Sequence, residues 1–525
     1  MTMMKKRLLA LMLAAALLLP LMALGTAAAT PVKELEYLYL DVDQPYMTLG
    51  QPIAWQVKLP AEPGPYKFQY ALYHHEDVTS NEGFEALEYT KELPGQDTFT
   101  FTPKEKGKYF LQVEVSDADY RVVKLVSQPF FAYDAADKED PSTLPGKVAQ
   151  IVAECLAQDL PGDYEKALWL NDWLIYNADY DASMTIHHPD GVLCRASGVC
   201  ESYALAYQML LQEVGIEAIY TTGYSRGELH AWNMVKMDGE WYHVDTTWND
   251  PVGGGNETHD YFGLTDDLLK RDHDWSYSNY VFPKATATKY NYNLLNGYLP
   301  FIDLAGMDEV LGSQMDQKQP LIKYTYHGPD RFFDTNYEVK KWLDQNAHVH
   351  FAQSWTYGGS AFSGQMEVSY GNDEGYRSFK NAEEFAAVME ELLTARETAV
   401  KINYTGDDKY FDFRRQIEDW LPQNYRRFDV GQYQYSYTQY AGEITLTYGD
   451  YAGYRRVNDN DEVAAALQEM ADSKTTPVKL YYTGPDPWYN LSTKVSIWMS
   501  DHRDLYTSYD GTAGSFEVAL DVEWK

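Results

Sequence analysis

Residues 198–218 read GVCESYALAYQMLLQEVGIEA, and residues 230–251 read HAWNMVKMDGEWYHVDTTWNDP. In the first stretch Tyr203, Ala206, Tyr207, Leu210, Leu211 and Val214 recur at three- and four-residue spacing, the period of a buried helix face, and Gly215 supplies a stop. A turn containing Gly198 runs straight into this helix, so Cys200 stands at its N-terminus, where backbone N–H groups and the macrodipole favour an anion. Most free cysteines are small buried hydrophobes. Position alone therefore leaves packing and nucleophilic roles open.

The second stretch supplies the partners. Apolar alternation over 228–237 and 240–248, broken by Asp238-Gly239, predicts a tight β-hairpin. With a two-residue loop Trp232 faces Asp245 and His230 faces Thr247, which puts His230 and Asp245 on one face as diagonal neighbours. A thiol at a helix start, an imidazole on one strand and a carboxylate on the next is the arrangement thiol acyl transfer needs. The imidazole takes the proton, and the carboxylate holds its tautomer and orientation. His243 shares the parity of Asp245 but lies on the acid's own strand, so it is expected to be structural.

These two runs, with YFGLTDD at 261–267, closely resemble the transglutaminase-like superfamily, over roughly 145–283, and in particular its bacterial exported members. The resemblance implies a papain-like α+β core, chemistry through a Cys thioester, and catalytic Cys200, His230 and Asp245. It also implies an oxyanion held by the Cys200 backbone N–H and by a second donor, for which Tyr180 is the candidate.

Outward from this core, 30–133 is rich in β-branched and aromatic runs between Pro and Gly clusters, and reads as an all-β sandwich resembling immunoglobulin-like modules. An acidic, Pro-containing stretch, 134–146, reads as a linker, and 147–299 as the catalytic domain. From 300 the chain repeats at a step of 78 residues: Gly328, Gly406 and Gly484, and likewise Trp342, Trp420 and Trp498. Three α+β units are expected, 300–380, 381–458 and 459–525, each running helix, strand, helix, strand, strand. The repeated Trp is expected to pack in a core, and the recurring Asp330, Asp408 and Asp486 to serve a turn.

At the other end Lys5, Lys6 and Arg7 precede an apolar run, 8–24, and Ala27-Ala28-Ala29, the pattern of a cleaved signal peptide over 1–29. Secretion without a later membrane span is therefore expected. The 525 residues carry 43 Lys+Arg against 78 Asp+Glu, a net charge of −35, which repels phosphate backbones and speaks against nucleic acid as a partner. Three cysteines, Cys155, Cys194 and Cys200, cannot make a disulfide framework, and whether Cys155 and Cys194 pair stays open. His187-His188 reads as a loop, and Asp250, Asp260, Asp266, Asp267 and Asp272 as solvated surface. Neither a metal nor a cofactor is expected.

Two functions follow. One is an exported cysteine peptidase, amidase or transglutaminase acting on protein or peptide amides, with cell-wall or extracellular matrix material as a partner of the repeats. The other is a non-catalytic binding or scaffold protein built on the same fold. Cys200, His230 and Asp245 are all present, which favours the enzyme. Hydrolysis and crosslinking differ only in the nucleophile that reaches the thioester, and sequence does not separate them.

Overall fold

The computed structural model describes residues 30–60, 65–79, 83–252 and 257–525, so the expected signal peptide lies outside the described residues. The chain is a mixed α/β multidomain protein with many sheets, its described residues dividing into a unit that holds those from 30 to 306 with 323–335 and 359–364, and a second that holds 307–322, 336–358 and 365–525.

In the first unit, alternation decides the N-terminal sheets. Ile53–Lys58 buries Ile53, Trp55 and Val57 and turns the residues between outward. It pairs antiparallel with Tyr39–Val42 on one side and Thr98–Phe101 on the other. A larger sheet runs in the order Met47–Thr48, Phe130–Tyr133, Gly107–Ser116, Lys67–His75, Glu85–Tyr89. Trp55 and Phe99 from the first sheet share one core with Tyr70, Leu111 and Phe130 from the second.

The stretch 134–146 is not the open linker expected. Ala135–Glu139 is a short 3-10 turn closed by a capping box between Asp134 and Asp137, and the helix Leu144–Leu156 already starts within it. Thr143 caps that helix through Gly146 N, and Pro145 falls in its first turn, where a missing N–H costs nothing. Nor is the boundary a break in packing. Phe131 belongs to the core formed by the helices Leu144–Leu156 and Cys200–Glu213. Leu38 and Val281 exchange backbone hydrogen bonds of 2.7 and 2.9 Å, and Tyr39 packs with Ile219, Met234 and Phe282.

The central core sets the Cys200–Glu213 helix against a five-stranded antiparallel sheet, ordered Phe262–Leu264, Glu240–Val244, Glu228–Met237, Ala218–Ser225, His273–Asp274. Every residue from Ser202 to Leu211 is buried, because the helices Leu144–Leu156 and Asp163–Asn177 cover what the sheet leaves open.

The second and third 78-residue copies lie in the second unit. Tyr376–Phe379 pairs in parallel with Ala399–Tyr404, followed by antiparallel Ala441–Tyr448 and Val430–Tyr437. Arg455–Val457, Val478–Tyr482, Glu517–Trp524 and Tyr506–Ala513 repeat that order. Each copy therefore opens with a short strand that sequence did not show, and it begins before the expected boundaries at 381 and 459. A three- or four-residue strand buries too little to leave a pattern, and a parallel partner across a helix fixes it only in three dimensions. The division between the two units falls within the first copy, 300–380. Trp342 and Trp498 are buried and Trp420 half-buried against its core. In all three copies the Asp carboxylate accepts the N–H two residues on, as Asp330 from Phe332, Asp408 from Tyr410 and Asp486 from Trp488.

Candidate active site

Cys200 opens its helix after Val199, an extended N-cap residue with no side-chain cap. Gly198 is required there by close approach: a Cβ would come within 2.4 Å of the Ser202 hydroxyl, which donates to the His188 carbonyl at 2.8 Å. The turn thus folds tightly over the first helical residues and leaves the Cys200 side chain half-buried.

The hairpin register is the one expected, with Asn233 opposite Val244 and Met234 opposite His243. The strand, however, stops at Val244 and does not continue to 248. Asp245 becomes the N-cap of the turn Thr246–Asn249, its Oδ1 accepting from Trp248 N at 3.1 Å. Strand pairing and capping compete for the same backbone, and a buried carboxylate that satisfies the orphan N–H of a helical turn favours the cap. One oxygen therefore anchors Asp245 to the backbone, and the other is free for an imidazole. Asp245 Oδ2 lies 2.7 Å from His230 Nε2, with both side chains buried.

The Cys200 thiol is among the groups that act on the His230 ring. Since Nε2 is taken by Asp245, Nδ1 is the ring nitrogen left for the thiol. Burial pushes the imidazole down, but the Asp245 carboxylate and the hydrogen bonds to Asp245 and Cys200 outweigh it and carry His230 up to about 10. Asp245 feels burial raising it, while His230 and then His273 hold it well below the ordinary carboxylate range. Tyr180, in a short strand beside Ser197–Gly198, is raised to about 12 by burial and by the nearby Cys200, and its hydroxyl donates to Met184 Sδ at 3.4 Å. It is a protonated donor near the thiol.

One residue escaped the sequence reading. His273 places Nε2 3.0 Å from the same Asp245 Oδ2, and its Nδ1 2.7 Å from Asp272 Oδ1. Asp272 in turn accepts the Tyr261 hydroxyl at 2.6 Å. A chain of contacts therefore runs Cys200, His230, Asp245, His273, Asp272, Tyr261. Gly223, opposite His230 in the sheet, makes room for it: a Cβ there would meet the Asp274 carbonyl at 2.4 Å and the Trp232 ring at 2.8 Å. Only the Asp-His-Asp run at 272–274 hinted at this, without periodicity to place it.

Among the described residues His230, Asp245 and His273 form the one group with metal-ligand spacing, their ligand atoms lying within 4.8 Å of one another. Hydrogen bonding accounts for that closeness, since Asp245 Oδ2 is the shared acceptor between two rings.

The other candidates resolve into pairings. His243 Nε2 meets Asp266 Oδ1 at 3.0 Å while its Nδ1 accepts from Trp232 at 3.2 Å, a structural role. His187 faces Glu201 and His188 faces Asp190. The acidic residues expected at the surface are a correction: Asp250, Asp260, Asp266 and Asp272 are buried, and of that group only Asp267 is exposed. Each buried carboxylate has a donor that offsets its desolvation: Tyr203 for Asp250, Asn293 for Asp260, His243 for Asp266 and Tyr261 for Asp272. Cys155, Cys194 and Cys200 are all free thiols.

Among the described residues no helix is long and apolar enough to cross a membrane. Comparison with known proteins gives a match of residues 150–246 to the family model of the transglutaminase-like superfamily. Kyphoscoliosis peptidase of Mus musculus is 26% identical over 126 residues, covering 20% of this chain and 19% of its own length. The Homo sapiens protein is 27% identical over 113 residues, covering 18% and 17%. The chain thus spans about a fifth of the length of the curated relatives it matches. A crystal structure of a TGase aligns over 22% of this chain and 33% of its own at 16% identity, with a TM-score of 0.19. Residues 150–246, which include Cys200, His230 and Asp245, are a domain of the transglutaminase-like superfamily.

Proposed function

We propose that this protein is an exported thiol enzyme that attacks protein or peptide amides through Cys200. The observation that carries the reading is the 2.7 Å contact of His230 Nε2 with buried Asp245 Oδ2, on the ring that the Cys200 thiol also acts on. In the reaction the Cys200 thiolate adds to the amide carbonyl carbon, forming a C–S bond and a tetrahedral oxyanion. The oxyanion is met by the Cys200 backbone N–H, with Tyr180 as second donor once its hydroxyl turns from Met184 Sδ. Collapse breaks the C–N bond, and the His230 imidazolium gives its proton to the departing nitrogen. The thioester then passes its acyl group to water, or to an amine, with His230 taking the incoming proton. Asp245 keeps the ring oriented throughout.

The peptidase name of the curated relatives supports a peptide amide as substrate. The signal-like pattern over 1–29 supports export. An extended wall or matrix surface as partner of the repeats is supported by one exposed aromatic at the same turn position of each copy: Phe332, Tyr410 and Trp488, at 78%, 79% and 90% exposure.

The test is mass spectrometry of the full mature chain incubated with Gln- and Asn-containing peptide libraries, with and without a primary amine. A Cys200 acyl adduct and a released amine are expected. Hydrolysed product identifies a hydrolase, and amine-linked product a transferase. No adduct, and turnover equal to that of Cys200→Ala, leaves the fold as a non-catalytic scaffold.

A further inference from the structure

A cavity of about 480 Å³ opens beside the buried end of the Cys200–Tyr261 contact chain, with Asp272 and His273 in its wall. Four cations line it: Arg226, Lys270, Arg271 and Arg331. That is contrary to the molecule as a whole, in which 78 acidic residues stand against 43 basic ones. The two acids in the same wall do not neutralise the four. Asp272 is fully buried and already accepts from Tyr261 and His273, and Asp274 caps Ser276 N at 2.8 Å.

The cations themselves are poorly paired. Arg226 approaches Asp272 only to 3.9 Å, and Lys270 approaches Asp266 only to 4.0 Å. Neither Arg271 nor Arg331 has a carboxylate within ion-pair distance among the described residues. Arg271 is buried, with Nε on the Leu268 carbonyl at 2.8 Å and Nη1 on the Tyr326 carbonyl at 2.7 Å, and its guanidinium lies over the Phe362 ring at 4.0 Å. It is therefore fixed in place with its charge unspent. A guanidinium so held is prepared for a carboxylate, because little side-chain freedom remains to be lost on binding.

One ring separates the cavity wall from the catalytic imidazole. Arg226 lies over the Trp248 ring at 4.4 Å, and that ring is 6.0 Å from the His230 ring. A volume of this size suits one or two side chains of a peptide rather than a whole domain.

We infer that this cavity is a recognition subsite for the carboxylate side chains of an acidic peptide substrate, placed so that Glu or Asp residues near the reacting amide dock on Arg226, Lys270, Arg271 and Arg331. The substrate role rests on the thiol-enzyme reading above, whereas the binding itself does not. A net charge of −35 disfavours such a peptide over the molecule as a whole, so a local inversion of sign favours docking here.

The experiment separates the two. Full-length mature protein carrying Cys200→Ala is titrated with a fluorescent peptide amide in which a central Gln is flanked by Glu, and with its counterpart flanked by Gln. The acidic peptide is expected to bind more tightly. Arg331→Gln and Lys270→Gln should each cut that preference about three- to tenfold, Arg331→Lys should retain it, and salt should weaken it. Equal affinity for the two peptides, or a preference that survives Arg331→Gln combined with Lys270→Gln, overturns the subsite. So does inorganic phosphate competing with the acidic peptide when glutarate does not, since the site would then be one for phosphate. Binding with this pattern in a protein whose Cys200 forms no adduct would keep the subsite and end the enzyme reading. Turnover through Cys200 with no acidic preference would do the reverse.

Discussion

His273 Nε2 stands 3.0 Å from Asp245 Oδ2, the same oxygen that His230 Nε2 meets at 2.7 Å. One buried carboxylate oxygen thus holds two imidazoles, and its remaining oxygen is tied to Trp248 N. Losing the His273 contact frees the carboxylate to turn and returns its full charge to His230. His273→Ala is expected to lower kcat about ten- to a hundredfold, the size of a lost hydrogen bond to a charged group. The alkaline limb of the pH profile should move upward, and His273→Gln, which keeps an N–H donor, should restore part of both. A variant with lowered kcat and an unmoved pH profile would make His273 structural only.

Cys200→Ala should abolish amide-directed turnover and leave the far-ultraviolet circular dichroism unchanged, since it removes one half-buried sulfur atom. Asp245→Asn should keep residual activity, lowered by at least about a hundredfold, because it disturbs tautomer and orientation without deleting a reacting group. Wild-type rates in Asp245→Asn would show that the carboxylate serves only the cap.

The pH dependence of stability has a definite sign. His230 is raised to about 10, so its contribution is fully present below its unfolded value of about 6.5 and is lost as pH rises through about 10. Asp245 is lowered, so its share is present above about pH 4 and is lost as pH falls further. The difference in thermal midpoint between wild type and His230→Gln should therefore be greatest at about pH 4–6.5 and shrink towards pH 10. Differential scanning calorimetry at three pH values reads it, and a gap that widened with pH would contradict the ion pair.

The three thiols should separate under iodoacetamide. Burial pushes the Cys155 thiol up, and burial together with Asp190 does the same for Cys194, although Cys194 is exposed. Cys200 faces an imidazole that keeps its proton through neutral pH. Peptide mapping after brief labelling at about pH 6.5 should find Cys200 modified first. Faster labelling of Cys194 would count against the pairing.

A fragment spanning 134–299 should fail to fold cooperatively. It loses Phe131 from the helical core and Leu38 and Tyr39 from the sheet edge. It also loses Ser360 and Ser363, which donate to buried Asp260, and the Tyr326 carbonyl that accepts from Arg271. Each buried large apolar side chain is worth roughly 1.5–3 kcal/mol, comparable to a good part of a domain's net stability. The second and third copies carry their own cores, so 376–525 should melt as a cooperative unit by itself. A sharp thermal transition in 134–299 would show that the catalytic domain folds without these contacts.

What the sequence determined by itself is what short-range physics encodes. Apolar spacing after Gly198 places Cys200 at a helix start, Asp238-Gly239 sets the hairpin register, and the step of 78 residues announces the repeats. Those signals lie within one helix, one turn or one repeat, where spacing along the chain is spacing in space. The tertiary structure alone decided the rest. It ended the strand at Val244 so that Asp245 could cap a turn, because the competing partner, Trp248 N, matters only once burial denies it water. It buried Asp250, Asp260, Asp266 and Asp272, which resemble surface residues until donors from distant segments reach them. It also brought His273, 28 residues beyond Asp245, onto the same carboxylate, through a two-residue strand admitted by Gly223. A strand that short has no period to read, and a contact of that kind is fixed by packing rather than by propensity.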